Sequence, residues 1–353
     1  MKIVITGGAG FVGSSICIKL KNKYPHYDII AFDNLKRRGS ELNLFDFKTA
    51  NIEFVHGDIR NKEDLDALGS FDVLIEASAE PSVTAGLDSD PTYVINNNLY
   101  GSINCFNTCI KNNAKLIFLS TSRVYPIKAI EEANYEELTT RFSFSENQKV
   151  QGISPNGISE QLNLYGERSF YGTTKLASEL FIQEYASFYN LKAAITRFGV
   201  IAGPRQMGKT DQGVVTLWMA KHFWKKPLKY IGYGGTGKQV RDVLHVDDAV
   251  SLIDMQIHQI EKFEGKVFNA GGGLKNSASL QEMTAICEKV TGNKINIDSI
   301  KETRTADLRI YITDNTKIEK ETGWKPKYSL ETVFSDIYHW IKDNESQLET
   351  ILK

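Results

Sequence analysis

Tyr171 and Lys175 stand four positions apart in the stretch YGTTK, at the head of the apolar-rich run LASELFIQEYASFY. On an α-helix, side chains at i and i+4 share one face about 5–6 Å apart, so the Lys175 ammonium would lie beside the Tyr171 phenol and favour its ionised form. A free phenol titrates near pH about 10, so a tyrosine base at neutral pH needs that value lowered by roughly 3 units, about 4 kcal/mol, by nearby positive charge. Alone the pair means little, because helices carry Tyr and Lys for solubility. A second pattern gives it context. TGGAGFVG places Gly7, Gly10 and Gly13 between a strand-like KIVIT and a helical run, with Asp33 twenty residues beyond Gly13 at the end of DIIAFD. Such glycines allow a tight turn, admit a pyrophosphate to the backbone and pack helix on strand, while the helix N-terminus at Phe11 and Val12 offers unpaired N–H groups to the anion. Asp33 is placed to accept from a ribose hydroxyl, which favours NAD over NADP, although Lys36, Arg37 and Arg38 add positive charge nearby. Asp58, in HGD, is a candidate partner for the adenine. Asn34, Ile59 and Ala77, at or just past strand ends, and Asn98 on a helix complete the expected cofactor contacts.

These residues need a frame. Short apolar runs (KIVIT, DIIAFD, NIEFVHGD, DVLIEAS, KLIFLSTS, KAAITRF) alternate with helical segments, the clearest from about Phe11 to Lys23 and over residues 171–189. Continuous apolar strands separated by helices predict a parallel sheet covered on both faces, a doubly wound Rossmann-type α/β domain. After Tyr125 the rhythm breaks into a polar stretch, EEANYEELTTRFSFSENQKVQGISPNGISEQLN, read as loop and excursion. Beyond about Met207 Gly-rich turns separate short elements, as in a smaller C-terminal α+β lobe. The expected division is 1–206 for the dinucleotide domain and 207–353 for a substrate lobe, with an interleaved boundary.

Composition narrows the function. With 41% apolar residues, 24% charged residues and a formal net charge of −1 over 353 residues, the chain lacks the marks of disorder, of a membrane span or of general affinity for nucleic acid. Phosphate recognition must therefore be local. The N-terminus has no signal-peptide pattern, so a cytoplasmic location is expected. Cys17, Cys105, Cys109 and Cys287 are too scattered for a disulfide framework, the histidines show no metal-ligand spacing, and no metal is expected.

With the glycine spacing and the Y-x-x-x-K pair, further segments make the chain resemble the extended short-chain dehydrogenase/reductase family, which includes nucleotide-sugar epimerases and dehydratases. STSRVYP puts Thr121 where that family has its catalytic Ser or Thr. NLYGSIN matches an N-x-x-G-x-x-N helix through Asn98, Gly101 and Asn104, GKQVRDVLHVDD supplies the diphosphate-gripping Arg241, and RTADLRIYITD with GWKP matches the family's end. The resemblance implies that Tyr171 takes a sugar hydroxyl proton, that Thr121 hydrogen-bonds the same hydroxyl, and that Lys175 also holds the nicotinamide ribose while hydride passes to NAD. Dehydratases use an acid pair after the Thr; here Ser122 and Arg123 offer no acid, which disfavours dehydration.

More narrowly, DNLKRRGSELNL, PNGISE, RQMGKTDQGVV and GYGGTGKQVRDVLHVDD resemble the branch that interconverts CDP-paratose and CDP-tyvelose. That resemblance implies inversion at C2 of a CDP-3,6-dideoxyhexose through a 2-keto intermediate with return of the hydride. A UDP-glucose-type 4-epimerase, another oxidoreductase of the family and a non-catalytic NAD-sensing regulator are the other readings; tightly retained NAD would separate an epimerase from an oxidoreductase. Departures stand at Glu76 and Glu80, where many members have His and Gln, at Val200 and Ala202 in place of Asn and Tyr, and at Pro126 in place of Gly. A nucleoside diphosphate carries about two negative charges, so Arg241 and Arg304 are the expected charge-assisted donors to it. Arg205, Gln206 and Lys209 are expected at the same entrance, Tyr233 against the base, and Glu80, Ser122 and Arg123 near the sugar. A homodimer through two helices of the first domain is also implied by the family.

Overall fold

The computed structural model describes residues 1–87, 89–208 and 212–353. The chain forms two compact units: Met1–Val124, Ser169–Arg197 and Val250–Phe268 make the first, and Tyr125–Arg168, Phe198–Ala249 and Asn269–Lys353 the second. Segments 125–168 and 250–268 thus lie across the line drawn at 206/207 in the sequence, because the chain passes between the units repeatedly.

The first unit is built on a sheet of β1 (Lys2–Thr6), β2 (Asp28–Asp33), β3 (Glu53–His56), β4 (Val73–Glu76), β5 (Lys115–Thr121), β6 (Ala193–Phe198) and β7 (Val267–Ala270). Their spatial order is β7-β6-β5-β4-β1-β2-β3. The pairs β1–β2, β2–β3, β1–β4 and β4–β5 run parallel, with Thr6 in register with Phe32 on one side and Glu76 on the other. Order therefore reverses direction at β1, the point where open α/β sheets leave a crevice beyond their carboxyl ends. Ile3, Val4, Ile5, Leu74 and Ile75 are fully buried, as expected of strands covered on both faces. Between the strands lie α1 (Phe11–Lys23), α2 (Asn43–Ala50), α3 (Lys62–Asp66), α4 (Thr92–Ile95), α5 (Gly101–Asn112), α6 (Phe170–Tyr189) and α7 (Val246–His258).

α6 starts where Ser169 Oγ accepts the Gly172 N–H at 3.2 Å and stops at Asn190, in the left-handed region at φ 57°. Its docking rests on buried charge. Glu179 receives two bonds from Arg197 Nε (3.0 and 3.1 Å), one from Arg197 Nη2 (2.6 Å) and one from Ser120 Oγ (2.5 Å), tying α6 to β6 and β5. Both charged partners are buried, at 1% and 5% exposure.

In the second unit, strand Val200–Ala202 pairs parallel with Val240–His245, which also meets Ser277–Ser279 antiparallel and Ile310–Tyr311 parallel. Helices Val214–Phe223, Leu280–Thr291 and Leu330–Asp343 pack on one another. The stretch read as loop contains a short helix, Ile127–Glu131, a hairpin of Tyr135–Glu137 with Phe142–Phe144, and a second small hairpin at Ile153–Ile158. Phe142 and Phe144 point inward on either side of Ser143, a two-residue period too brief to stand out from polar surroundings.

Removing the carboxylate of Glu179 would strand the Arg197 guanidinium in the interior. Glu179→Ala is expected to cost about 3–5 kcal/mol in urea unfolding of the full chain; a loss under about 1 kcal/mol would show that the clamp does not hold α6.

Candidate active site

β1 turns into α1 through Gly7, at φ +64°, where a side chain would meet the Ala77 carbonyl at 2.8 Å. A Cβ on Gly13 would stand 2.1 Å from the Gly7 carbonyl oxygen, so the helix seats directly on the turn only because that residue is glycine. α1 begins at Gly10 with no side-chain cap, leaving the N–H groups of Phe11 and Val12 without the usual hydroxyl or carboxylate. Asp33, at the end of β2, receives the Ala9 N–H on Oδ2 (3.1 Å) and the Leu35 N–H on Oδ1 (2.7 Å). Burial pushes its carboxyl up, while these backbone bonds pull it back. The Gly10 amide also favours its charged form, and the carboxylate stands at the strand end where a ribose hydroxyl would donate to it. A side-chain-free cradle, an uncapped helix start and a carboxylate at the second strand end fit a dinucleotide.

The loops after β3 and β4 are pinned from one helix. Asn98 Oδ1 accepts the Glu80 N–H (2.7 Å) and its Nδ2 donates to the Glu80 carbonyl (3.0 Å). Gly101 leaves room for Ile59, whose Cδ1 would be 2.6 Å from a Cβ there, and Asn104 Nδ2 donates to the Ile59 carbonyl (2.9 Å). The N-x-x-G-x-x-N spacing is thus a ruler for two loops. It begins inside a π-type turn, Asn96–Tyr100, which buries Asn97 and Asn98.

Asp58 is more committed than the sequence implies. Its Oδ1 accepts Arg60 N and Nε (both 2.9 Å), and its Oδ2 accepts Arg60 Nη2 (2.6 Å) and Asn34 Nδ2 (2.8 Å). Burial opposes its charge, but those donors outweigh it and hold the carboxyl down at about 2. In this arrangement all four of its acceptor positions are taken by Arg60 and Asn34.

Thr121 ends β5, buried, with Oγ1 accepting the Arg123 N–H (3.2 Å); Ser122 beside it is at the edge of burial. Tyr171, in the first turn of α6, is half-buried, and Lys175 one turn later is 2% exposed. The Lys175 ammonium lies 3.1 Å from Glu76 Oε2 and 4.2 Å from the centre of the Phe118 ring. Glu76, at the end of β4, has no exposure, and its Oε1 has no hydrogen-bond partner. Burial pushes the Glu76 carboxyl up against the pull of Lys175. Glu80 Oε1 accepts the Ser82 N–H (3.2 Å), tightening the loop that Asn98 holds.

In the second unit Arg241 donates to Asp307 Oδ1 and to its own neighbour's carbonyl at Val240, both at 2.7 Å. Gln206 links the Ile201 carbonyl (3.0 Å) to Thr216 Oγ1 (2.8 Å), while Arg205 sits at φ 76° and Arg304 is exposed. Lys209 lies outside the described residues. Tyr233 donates to Glu131 Oε1 (3.2 Å), and its ring carries the Arg309 guanidinium at 5.1 Å; Tyr135 and Phe142 flank the same guanidinium at 4.1 and 5.7 Å. Burial first, then Glu131 and Asp307, push the Tyr233 phenol up. Arg309 stands within the quoted segment RTADLRIYITD, but nothing in that segment marks it out, since its ring partners come from distant residues. Val200 and Ala202 simply continue the strand beside Val243 and His245, and Pro126 opens the helix Ile127–Glu131.

Fold and glycine turn together define a dinucleotide-binding α/β protein. The sequence model of the NAD dependent epimerase/dehydratase family matches residues 3–271, and the chain belongs to that family. It is 32% identical over 348 residues to the CDP-paratose 2-epimerase of Salmonella typhi, across 96% of this chain and 99% of that protein. The UDP-glucose 4-epimerase of Thermotoga maritima, solved with UDP-glucose, superposes with a TM-score of 0.74 at 27% identity, covering 98% of this chain and 100% of that one. The fold is also that of the UDP-glucuronic acid 4-epimerase of Bacillus cereus, solved with UDP-glucuronic acid and NAD (TM-score 0.80, 24% identity, 97% and 99% coverage). The chain is thus an enzyme of the NAD-dependent nucleotide-sugar epimerase family.

Because the Gly13 contact is with backbone that cannot yield, Gly13→Ala is expected to lower NAD affinity at least about tenfold, read by isothermal titration. Wild-type affinity in that variant would mean the turn does not seat the pyrophosphate.

Proposed function

We propose that the enzyme inverts C2 of a CDP-linked 3,6-dideoxyhexose, interconverting CDP-paratose and CDP-tyvelose. The observation that carries this is end-to-end similarity to a CDP-paratose 2-epimerase across nearly the whole of both chains. NAD, when bound, supplies a hydride acceptor that returns the hydride to the sugar. Tyr171 takes and restores the hydroxyl proton, and Thr121 Oγ1 orients that hydroxyl from the end of β5. Lys175, fixed and charged, favours the phenolate and offers its remaining donors to the nicotinamide ribose. Ser122 and Arg123, following Thr121, supply no carboxylic acid to expel water, so the keto-sugar is left for re-reduction.

Arg241 and Arg304 are the proposed diphosphate ligands, Arg241 being already aimed by Asp307. Arg205, Gln206 and Tyr233 belong to the same proposed substrate set. A homodimer through α5 and α6 completes this reading, since Leu180, Phe181, Phe188 and Tyr189 of α6 and Tyr100 before α5 are exposed. A cytoplasmic location belongs to the same proposal. The second reading, a UDP-sugar 4-epimerase, is favoured by the likeness to the Thermotoga maritima enzyme.

Incubation with CDP-paratose in deuterium oxide, followed by NMR, is expected to show inversion at C2 with no solvent deuterium at that carbon. Deuterium there would replace hydride return by deprotonation; turnover of UDP-glucose alone would move the activity to C4. Tyr171→Phe is expected to lose roughly 10²-fold or more in turnover.

A further inference from the structure

The pair Lys175–Glu76 joins residues 99 positions apart and sits wholly inside the first unit. Few groups share its surroundings. From α5 come Ser102, which donates to the Asn98 carbonyl, and Cys105, a fully buried thiol that burial and then the Glu76 charge push well up. From β5 comes the Phe118 ring. From α6 come Tyr171, one turn before Lys175, and Glu179, one turn after it and already engaged by Arg197 and Ser120. Among the described residues, Glu76 is therefore the one carboxylate that meets the Lys175 ammonium. A carboxylate at that distance offsets part of the cost of holding the ammonium out of water and fixes its position.

A carboxylate 3.1 Å from the ammonium also changes what Tyr171 experiences. A bare cation beside a phenol favours the phenolate strongly, whereas a cation with its anion attached acts as a dipole whose field falls faster with distance. Building on the reading of Tyr171 as the proton-transfer group, we infer that Glu76 is a positioning residue that fixes the Lys175 ammonium and moderates its charge, thereby setting the pH range in which Tyr171 works. Burial opposes the Glu76 charge, Lys175 and then the Ser102 hydroxyl favour it, and Oε1 has no hydrogen-bond partner.

The experiment needs no sugar. The near-ultraviolet phenolate absorbance of the NAD-loaded enzyme is titrated, and the curve of its Tyr171→Phe form is subtracted to leave the Tyr171 transition. Glu76→Gln keeps shape and removes charge, so its midpoint is expected about 1 pH unit below wild type. Glu76→Asp keeps the charge and is expected to retain the wild-type midpoint. An unmoved midpoint in Glu76→Gln overturns the inference, as does an equal fall in Glu76→Asp, which a merely structural disturbance would cause. Should Glu76→Gln not fold, Glu76→His carries the same test, its imidazole being neutral beside a buried ammonium. Wild-type turnover in Tyr171→Phe would sink the base assignment and this inference together; an unmoved midpoint with Tyr171→Phe inactive would sink this inference alone.

Discussion

A lysine ammonium kept out of water between a carboxylate and an aromatic ring is the interaction around which the first unit is arranged. Taking an ion pair into the interior costs several kcal/mol per ion unless geometry and neighbours restore it. Three elements must be held in register to do so: β4 brings Glu76, β5 brings Phe118, and α6 brings Lys175. The second buried pair, Glu179 with Arg197, lies one helical turn along the same face of α6 and fixes that helix against β5 and β6. The face that carries the proposed chemistry thus also carries its anchor, at positions 171, 175 and 179.

What surrounds this pair follows from sheet order. The crevice opens where β1 lies between β2 and β4, and the groups of interest stand at or near the carboxyl ends of strands: Asp33, Glu76 and Thr121. Loops at such ends are free to move unless something holds them. Asn98 and Asn104 serve that purpose for two loops at once, using side-chain amides that satisfy backbone groups the sheet no longer can, while Gly101 makes room for Ile59.

Much of this was legible in the chain. The helix expected at Phe11–Lys23 runs over those residues, and the six apolar runs became six neighbouring strands; burial on both faces erases alternation in the inner ones, while the edge strand Glu53–His56 has no buried residue. Less was legible where meaning depends on partners distant in sequence. Glu76 showed only as a departure from its relatives, since nothing near it in sequence announces a lysine 99 residues away. Asp58 looked like a free acceptor, and its saturation by Arg60 and Asn34 is a matter of side-chain direction. Arg309 was hidden because its aromatic neighbours come from residues 135, 142 and 233, two of them in a stretch with no periodic signal.

Asp33 shapes the turn as well as facing the crevice, and this joins two properties that might otherwise be altered separately. Its two oxygens hold the amides of Ala9 and Leu35, one before α1 and one after β2. Exchanging it for a small neutral residue, the obvious route to accommodating a phosphorylated ribose, would also release both amides and loosen the loop that must receive the pyrophosphate. Coenzyme preference in this scaffold is therefore wired into backbone architecture, and re-engineering it calls for substitute acceptors as well as added positive charge.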